Sequence, residues 1–308
     1  MLSKQPILTI AIPTYNRPEK IKAQVNVLLP QLNDKVHLVI YDNCSDTKVE
    51  TLFKPNEILQ FHLVRNRVNV GADANIARCF ENCTTKWLWT LSDDDLVKED
   101  AVESILNEIE KNEEAVFINL CSVSNFSTRN FDEIAAKFKS PRVFVNSFQM
   151  SSCLYNMSIL SKSLHNYYNN LSSMMGTIIM VLKHVQNHNL SHCRFVDLIV
   201  VKDFDNVVSW DYSVYILRTQ LFIDAFSGLK SRNLHNKLSL GCYIINYSLI
   251  ELDRKESKVN YSKRWNLYLY NIKNQGLLNA LIYCPKPLIR TFLNLILPQS
   301  IFNFVVGK

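Results

Sequence analysis

Between residues 7 and 121 the apolar positions switch repeatedly between two patterns. Residues 7–12 are a largely apolar run rich in β-branched side chains and closed by Pro13, which predicts a strand. Residues 17–33 then set Ile21, Val25, Leu28, Leu29 and Leu32 on one helical face. Further strands are predicted over 36–41, 58–64, 86–91 and 115–121, and Ser45 and Asp46 are candidate caps of a short helix reaching Phe53. Helices are predicted over 72–83, with Ile76, Phe80 and Cys83 inward, and over 97–111, with Val102, Ile105, Leu106 and Ile109 inward. Strand and helix alternating with short connections predict an α/β fold, with a doubly wound, mostly parallel sheet covered on both faces.

After residue 121 the pattern changes. Residues 122–145 are dominated by Asn, Ser, Thr, Lys and Phe and read as a long loop, a kind of segment that is usually functional or mobile. Residues 154–160, 174–188 and 193–201 read as strand, helix and strand, and the chain is predominantly helical from residue 212. These changes divide it into 1–121, 122–210 and 211–308.

Composition narrows the function classes. The 308 residues are 47% hydrophobic and 20% charged, enough for a substantial core. Six glycines, with no GxGxxG and no GxxxxGK[ST], argue against a dinucleotide-binding oxidoreductase and a P-loop NTPase. The first six residues are polar and lack the apolar core of a signal peptide, and no run of apolar residues is long enough to span a membrane. Eight scattered cysteines include no CxxC pair, so reduced thiols are expected and a zinc site is not.

The chemistry concentrates at predicted strand ends. Ser92-Asp93-Asp94-Asp95 follows the aromatic run Trp87-Leu88-Trp89-Thr90-Leu91. Three adjacent carboxylates repel one another unless a cation neutralises them, and hard oxygen donors suit Mg2+ or Mn2+. The alternative is a solvated acidic turn that caps the next helix. Three other segments also follow strands: Ile12-Pro13-Thr14-Tyr15-Asn16-Arg17, Tyr41-Asp42-Asn43, and Asn69-Val70-Gly71-Ala72-Asp73-Ala74-Asn75. In a doubly wound sheet all four converge on one crevice.

Taken together, and in this order, the four segments resemble the nucleotide-sugar half of GT-A glycosyltransferases, family 2 in particular. The resemblance covers about residues 5 to 121, and the Gly-Ala-Asp-Ala-Asn run and Asp triplet look most like bacterial enzymes of O-antigen or capsule synthesis. It implies a nucleotide diphosphate-sugar donor, with Pro13 and Tyr15 against the base and Asp42 accepting from base or ribose. Arg17, Asp73, Asn75 and Arg78 would line the same pocket, with Asp93 facing the ribose. Asp94 and Asp95 would hold Mg2+ or Mn2+ on the diphosphate, easing departure of the nucleotide. The family usually shows an Asp-x-Asp frame; here Ser92 takes its first position and Asp94 its second. The resemblance makes 1–121 the donor half and 122–210 the acceptor half.

An inverting transfer also needs a base for the acceptor hydroxyl. In the family this is an Asp or Glu ahead of a downstream helix, and the corresponding stretch here, Ser172-Ser173-Met174-Met175-Gly176-Thr177, contains no acid. Asp132, Glu133, His184, His188, Asp197, Asp203 and Asp205 are the nearby titratable groups, and none is singled out.

Net charge is +6, yet residues 254–308 hold nine Lys and Arg against one Glu, so the basic excess belongs to the C-terminal segment. Aromatic and apolar residues lie among these cations, and 288–304 can form an amphipathic helix interrupted at Pro298. That pattern suits an anionic membrane surface, or equally a helical cap packed on the sheet. No nucleic-acid motif accompanies it. The expectation is a cytoplasmic glycosyltransferase, peripheral on the inner face of the membrane, acting on a lipid-linked glycan. The rivals are a GT-A domain serving only as a binding subunit, and a nucleotidyltransferase, whose Gly-rich N-terminal loop is missing.

Overall fold

β1 (Leu8–Thr14) is buried along nearly its whole length and runs parallel to both its neighbours, β2 (Val36–Asp42) and β4 (Trp87–Thr90). A strand covered on both faces has no solvent side, so its sequence is mostly apolar on both faces, with Thr9 and Thr14 the polar exceptions in β1. β3 (His62–Arg65) extends the sheet in parallel from β2. The chain thus winds outward from β1 in both directions, which opens a crevice at the C-terminal ends of the strands.

Beyond β4 the sheet is mixed. β8 (Cys153–Asn156) lies antiparallel between β4 and β6 (Phe117–Asn119), β9 (Cys193–Asp197) is parallel to β6, and β7 (Cys121–Thr128) closes the edge antiparallel to β9. The eight strands run in the order β3-β2-β1-β4-β8-β6-β9-β7, and β5 (Asp95–Val97) pairs separately with β10 (Val201–Phe204).

The computed structural model describes residues 5–188, 192–204, 212–226, 231–252 and 260–306. It divides into two compact units. The first comprises Met1–Glu133, Ser147–Leu171 and Met175–Asp205; the second comprises Ile134–Asn146, Ser172–Met174 and Asn206–Lys308.

In the first unit, Ile21 and Val25 of helix Pro18–Leu28 and Val102 and Ile105 of helix Ala101–Lys111 share a core with Ile10, Trp87 and Trp89. Full burial of each large apolar side chain stabilises by roughly 1.5–3 kcal/mol. Exposed ion pairs contribute about 0–1 kcal/mol, so packing of the strand interiors sets where the strand ends lie. In the second unit, helices Ser213–Ala225, Arg232–Ile250, Tyr261–Gln275 and Pro285–Ile296 share a core that includes Ile216, Tyr247, Leu267 and Leu288. Ser231 and Asn260 cap two of these helices by accepting from Leu234 N at 3.0 Å and Lys263 N at 2.9 Å.

Several expectations are corrected. Residues 122–145 are not a loop: they contribute most of β7 and the helices Phe131–Lys137 and Pro141–Asn146. β7 is an edge strand whose Asn, Ser and Thr content hides its period, while Phe126 stacks on Phe195 of β9 with centroids 4.6 Å apart. The helix expected from residue 97 begins at Ala101, because 95–97 form β5. The strand expected over 58–64 begins only at His62, after a short helix Pro55–Ile58.

Candidate functional site

Pro18 at the first helical position fixes the start of helix Pro18–Leu28 and leaves Arg17 as its N-cap residue, just beyond β1. From there Arg17 Nη1 donates to Asp93 Oδ1 at 2.7 Å and to Asp94 Oδ2 at 2.9 Å. Thr14, the last residue of β1, donates its hydroxyl to Asp93 Oδ2 at 2.7 Å. Both oxygens of the buried Asp93 are therefore engaged. Burial pushes the Asp93 carboxyl above its ordinary value, more than Arg17 and Thr14 draw it down. Burial also works against the Arg17 charge, yet Asp93 and Asp94 together hold the guanidinium above its usual value.

The rest of the acidic turn is built differently. Asp94 accepts from the Ser92 hydroxyl as well as from Arg17 and is partly exposed. Asp95 starts β5 and accepts from the buried Ser151 hydroxyl at 2.6 Å. Among the described residues no three His, Cys, Asp or Glu side chains form a ready metal cage. The carboxylates of Asp94 and Asp95 nonetheless suit a hard divalent ion that takes its other donors from phosphate and water. This donor set fits Mg2+ or Mn2+ bound together with a substrate.

The ends of β2 and β3 carry a polar lattice. Asp42 is fully buried, accepts from Ser45 N at 2.9 Å and pairs with Arg65, which stands opposite it in the β2–β3 register. Asn66 Nδ2 donates to Asn43 Oδ1 at 2.9 Å and to Asn75 Oδ1 at 2.8 Å. Asn43 Nδ2 donates to Asn69 Oδ1 at 2.8 Å, Asn75 Nδ2 donates to Tyr41 O at 2.9 Å, and Arg78 donates to Asn66 Oδ1. Gly71 precedes helix Ala72–Glu81 at a φ of 86°, where a side chain would strain the backbone.

A cleft of about 350 Å³ opens above this lattice. Its walls include Pro13, Thr14, Tyr15, Arg17, Asn43, Asn69, Gly71, Asn75, Asp93 and Met150. Of the residues singled out from sequence, Pro13, Tyr15, Arg17, Asn75 and Asp93 line it. Asp42 and Arg78 belong to the polar lattice, and Asp94 is joined to the cleft residue Arg17 by its ion pair. Asp73 lies in the first turn of helix Ala72–Glu81, and its carbonyl accepts from Tyr167 OH at 3.5 Å. Arg65, Asn66 and Ser151 were missed; Arg65 and Asn66 stand at the end of the third strand, a position the topology alone recommends.

Among the described side chains considered for acceptor activation, Asp132, Glu133, His184, His188 and Asp197 do not line the cleft. His184 is buried and shares a hydrogen bond of 2.8 Å with Ser163 Oγ, and burial followed by the neighbouring His188 lowers it to about 4. Asp132, Glu133, His188 and Asp197 are exposed. Asp203 lies on β10 opposite Leu96, and Asp205 is outside the described residues.

Comparison with known proteins places this architecture. The family model described as "Glycosyl transferase family 2" matches residues 9–166. A curated relative, an uncharacterized glycosyltransferase of Haemophilus influenzae, is 29% identical over 112 residues, covering 36% of this chain and 37% of that protein. Among solved structures, residues 1–349 of S. aureus TarS superpose with a TM-score of 0.57 at 12% identity, covering 98% of this chain and 92% of that one. The mannosyltransferase PcManGT of Pyrobaculum calidifontis, in complex with GDP-Man and Mn2+, gives 0.52 at 11% identity, covering 99% and 89%. At these identities the structural likeness speaks for the fold.

Proposed function

We propose that this chain, which belongs to glycosyl transferase family 2, moves a sugar from a nucleotide diphosphate-sugar to a hydroxyl of a lipid-linked glycan during surface polysaccharide synthesis, of the O-antigen or capsule kind, at the inner face of the cell membrane. The observation that supports it is the meeting of Tyr15, Arg17, Asn75 and Asp93 in one cleft at the strand ends. Its volume of about 350 Å³ lies within the range of small-molecule sites. TarS has been crystallised with UDP-GlcNAc and PcManGT with GDP-Man and Mn2+, so proteins of this fold take the donor class proposed here.

The proposed roles follow from the chemistry of each side chain. Tyr15 is exposed on the rim, where its ring can stack on a base, with Pro13 beside it. Asp93 presents a carboxyl edge to a ribose, while Arg17 fixes that carboxyl and supplies positive charge toward a diphosphate. Asn75, held from below by Asn66 and Tyr41 O, orients the floor with Asp42 and Arg78; Asp73 would contribute from the first turn of its helix. Asp94 and Asp95 would hold Mg2+ or Mn2+, which would stabilise charge on the departing nucleotide.

Calorimetric titration with UDP, GDP, CDP and dTDP, each with Mn2+ and then with EDTA, tests the reading. One nucleotide should bind in a metal-dependent manner, and Asp94→Ala and Asp95→Ala should weaken it at least about tenfold. Equal affinity in variants and parent removes the metal assignment, and no binding of any nucleotide removes the donor site. A binding subunit without turnover is the second reading, favoured by the absence of an acid from residues 172–177. Tight nucleotide binding with no sugar release from any donor would select it.

A further inference from the structure

The last three helices of the second unit turn their apolar residues outward. In Pro285–Ile296 the inward positions include Thr291 and Asn294 as well as Leu288 and Leu295. Thr291 donates to Glu251 at 2.6 Å, and Asn294 accepts at 2.6 Å from Arg264, which is itself buried. The outward positions of the same helix include Ile289, Phe292 and Ile296. Helix Leu277–Tyr283 buries Ala280 and leaves Leu278 70% exposed, and helix Gln299–Val306 leaves Phe304 87% exposed. Between Leu277 and Val305 eleven large apolar side chains of the described residues are exposed. Single exposed apolar residues are ordinary, but such a run over three consecutive helices marks a surface meant to be covered.

Charge identifies the cover. Residues 259–308 contain six Lys and Arg and no Asp or Glu. Arg264 is buried and Arg290 pairs with Glu251 at 2.8 Å, while Lys286 of these helices and Lys273 of the preceding helix Tyr261–Gln275 are exposed. A second copy of this face would bring these lysines no carboxylate, since residues 259–308 contain none. A lipid surface with anionic headgroups satisfies the apolar side chains and the lysines together. No helix of the described residues is long and apolar enough to cross a membrane. We infer that helices Leu277–Tyr283, Pro285–Ile296 and Gln299–Val306 form a face that lies in the headgroup layer of an anionic membrane. It gives the proposed membrane location a specific surface, and it stands on the second unit alone, whatever the donor site proves to be.

Co-sedimentation with vesicles of phosphatidylglycerol and phosphatidylcholine, and with vesicles of phosphatidylcholine alone, tests it. The full chain should bind the anionic vesicles, and more weakly as salt rises. The exposed-site triple variant Leu278→Glu, Ile282→Glu, Phe304→Glu should lose at least about tenfold in partitioning, because each change removes an inserted apolar group and adds repulsion. Circular dichroism and nucleotide titration on the same variant report folding and the donor site separately. If the triple variant fails to fold, the charge reversal Lys273→Glu, Lys286→Glu carries the test and should abolish the preference for anionic vesicles. Equal binding by a folded variant and parent overturns the inference, as does a parent that ignores anionic vesicles. A parent dimer in light scattering that the triple variant dissociates, without vesicle binding, would assign the face to a second copy instead.

Discussion

Arg17→Ala is the perturbation that most directly probes the acidic turn. The guanidinium makes two charge-assisted hydrogen bonds, at 2.7 Å to Asp93 and 2.9 Å to Asp94. Asp94 is partly exposed and returns to water when Arg17 is removed, so its loss counts for about 0–1 kcal/mol. Asp93 is buried and keeps only the Thr14 hydroxyl, which leaves a carboxylate short of one strong partner at about 1.5–3 kcal/mol. The expected loss at pH 7 is about 2–3 kcal/mol. It is read as a shift of the urea midpoint followed by the fluorescence of the buried Trp87 and Trp89.

The pH dependence has a definite sign. Asp93 already has a folded value above its unfolded one, so the folded chain binds the proton at higher pH, and this group's contribution to stability falls as pH rises through that window. Removing Arg17 raises the folded value further. The Arg17→Ala deficit should therefore shrink on acidification toward the ordinary carboxylate range, and Asp93→Asn should recover part of it at pH 7. A deficit below about 0.5 kcal/mol, a deficit that grows on acidification, or purely additive single changes would each refute this account.

Other outcomes follow from residues already placed. His184 has a folded value of about 4 against an ordinary 6.5, so stability should fall as pH drops from about 6.5 to about 4, by an order of 1–2 kcal/mol after allowance for solvent. His184→Asn should lose less on the same descent in urea titrations, and equal losses would sink the assignment. Gly176 begins helix Gly176–Asn187 where a Cβ would fall inside the Tyr167 ring, so Gly176→Ala should cost about 1–3 kcal/mol by overpacking. An unchanged thermal midpoint would show that the ring moves aside freely.

Much of the sheet was legible because a strand buried on both faces writes itself as a largely apolar run, as in β1 and in residues 87–91. The strand ends, and with them Pro13, Tyr15, Arg17, Asn75 and Asp93 as neighbours of one crevice, follow from that reading and from the doubly wound order. What stayed hidden depends on register. Asp42 meets Arg65 only because the two stand opposite each other across β2 and β3, and no local pattern announces that pairing. Ser151 meets Asp95 across 56 residues of chain, a contact that no local pattern announces either. β7 escapes the pattern because an edge strand tolerates polar residues, and nothing local marks Phe126 as one half of a stack with Phe195.

The amides beneath the cleft are tied to one another before any ligand arrives. Asn66 alone donates to Asn43 and Asn75 and accepts from Arg78, tying the ends of β2 and β3 to helix Ala72–Glu81. Such a floor is preorganised: its side-chain entropy is given up when the protein folds rather than at each encounter with a ligand. Ligands that differ only above the floor should therefore differ in the contacts they make with the rim, and the floor itself should act as a fixed template against which a ligand of one shape is measured.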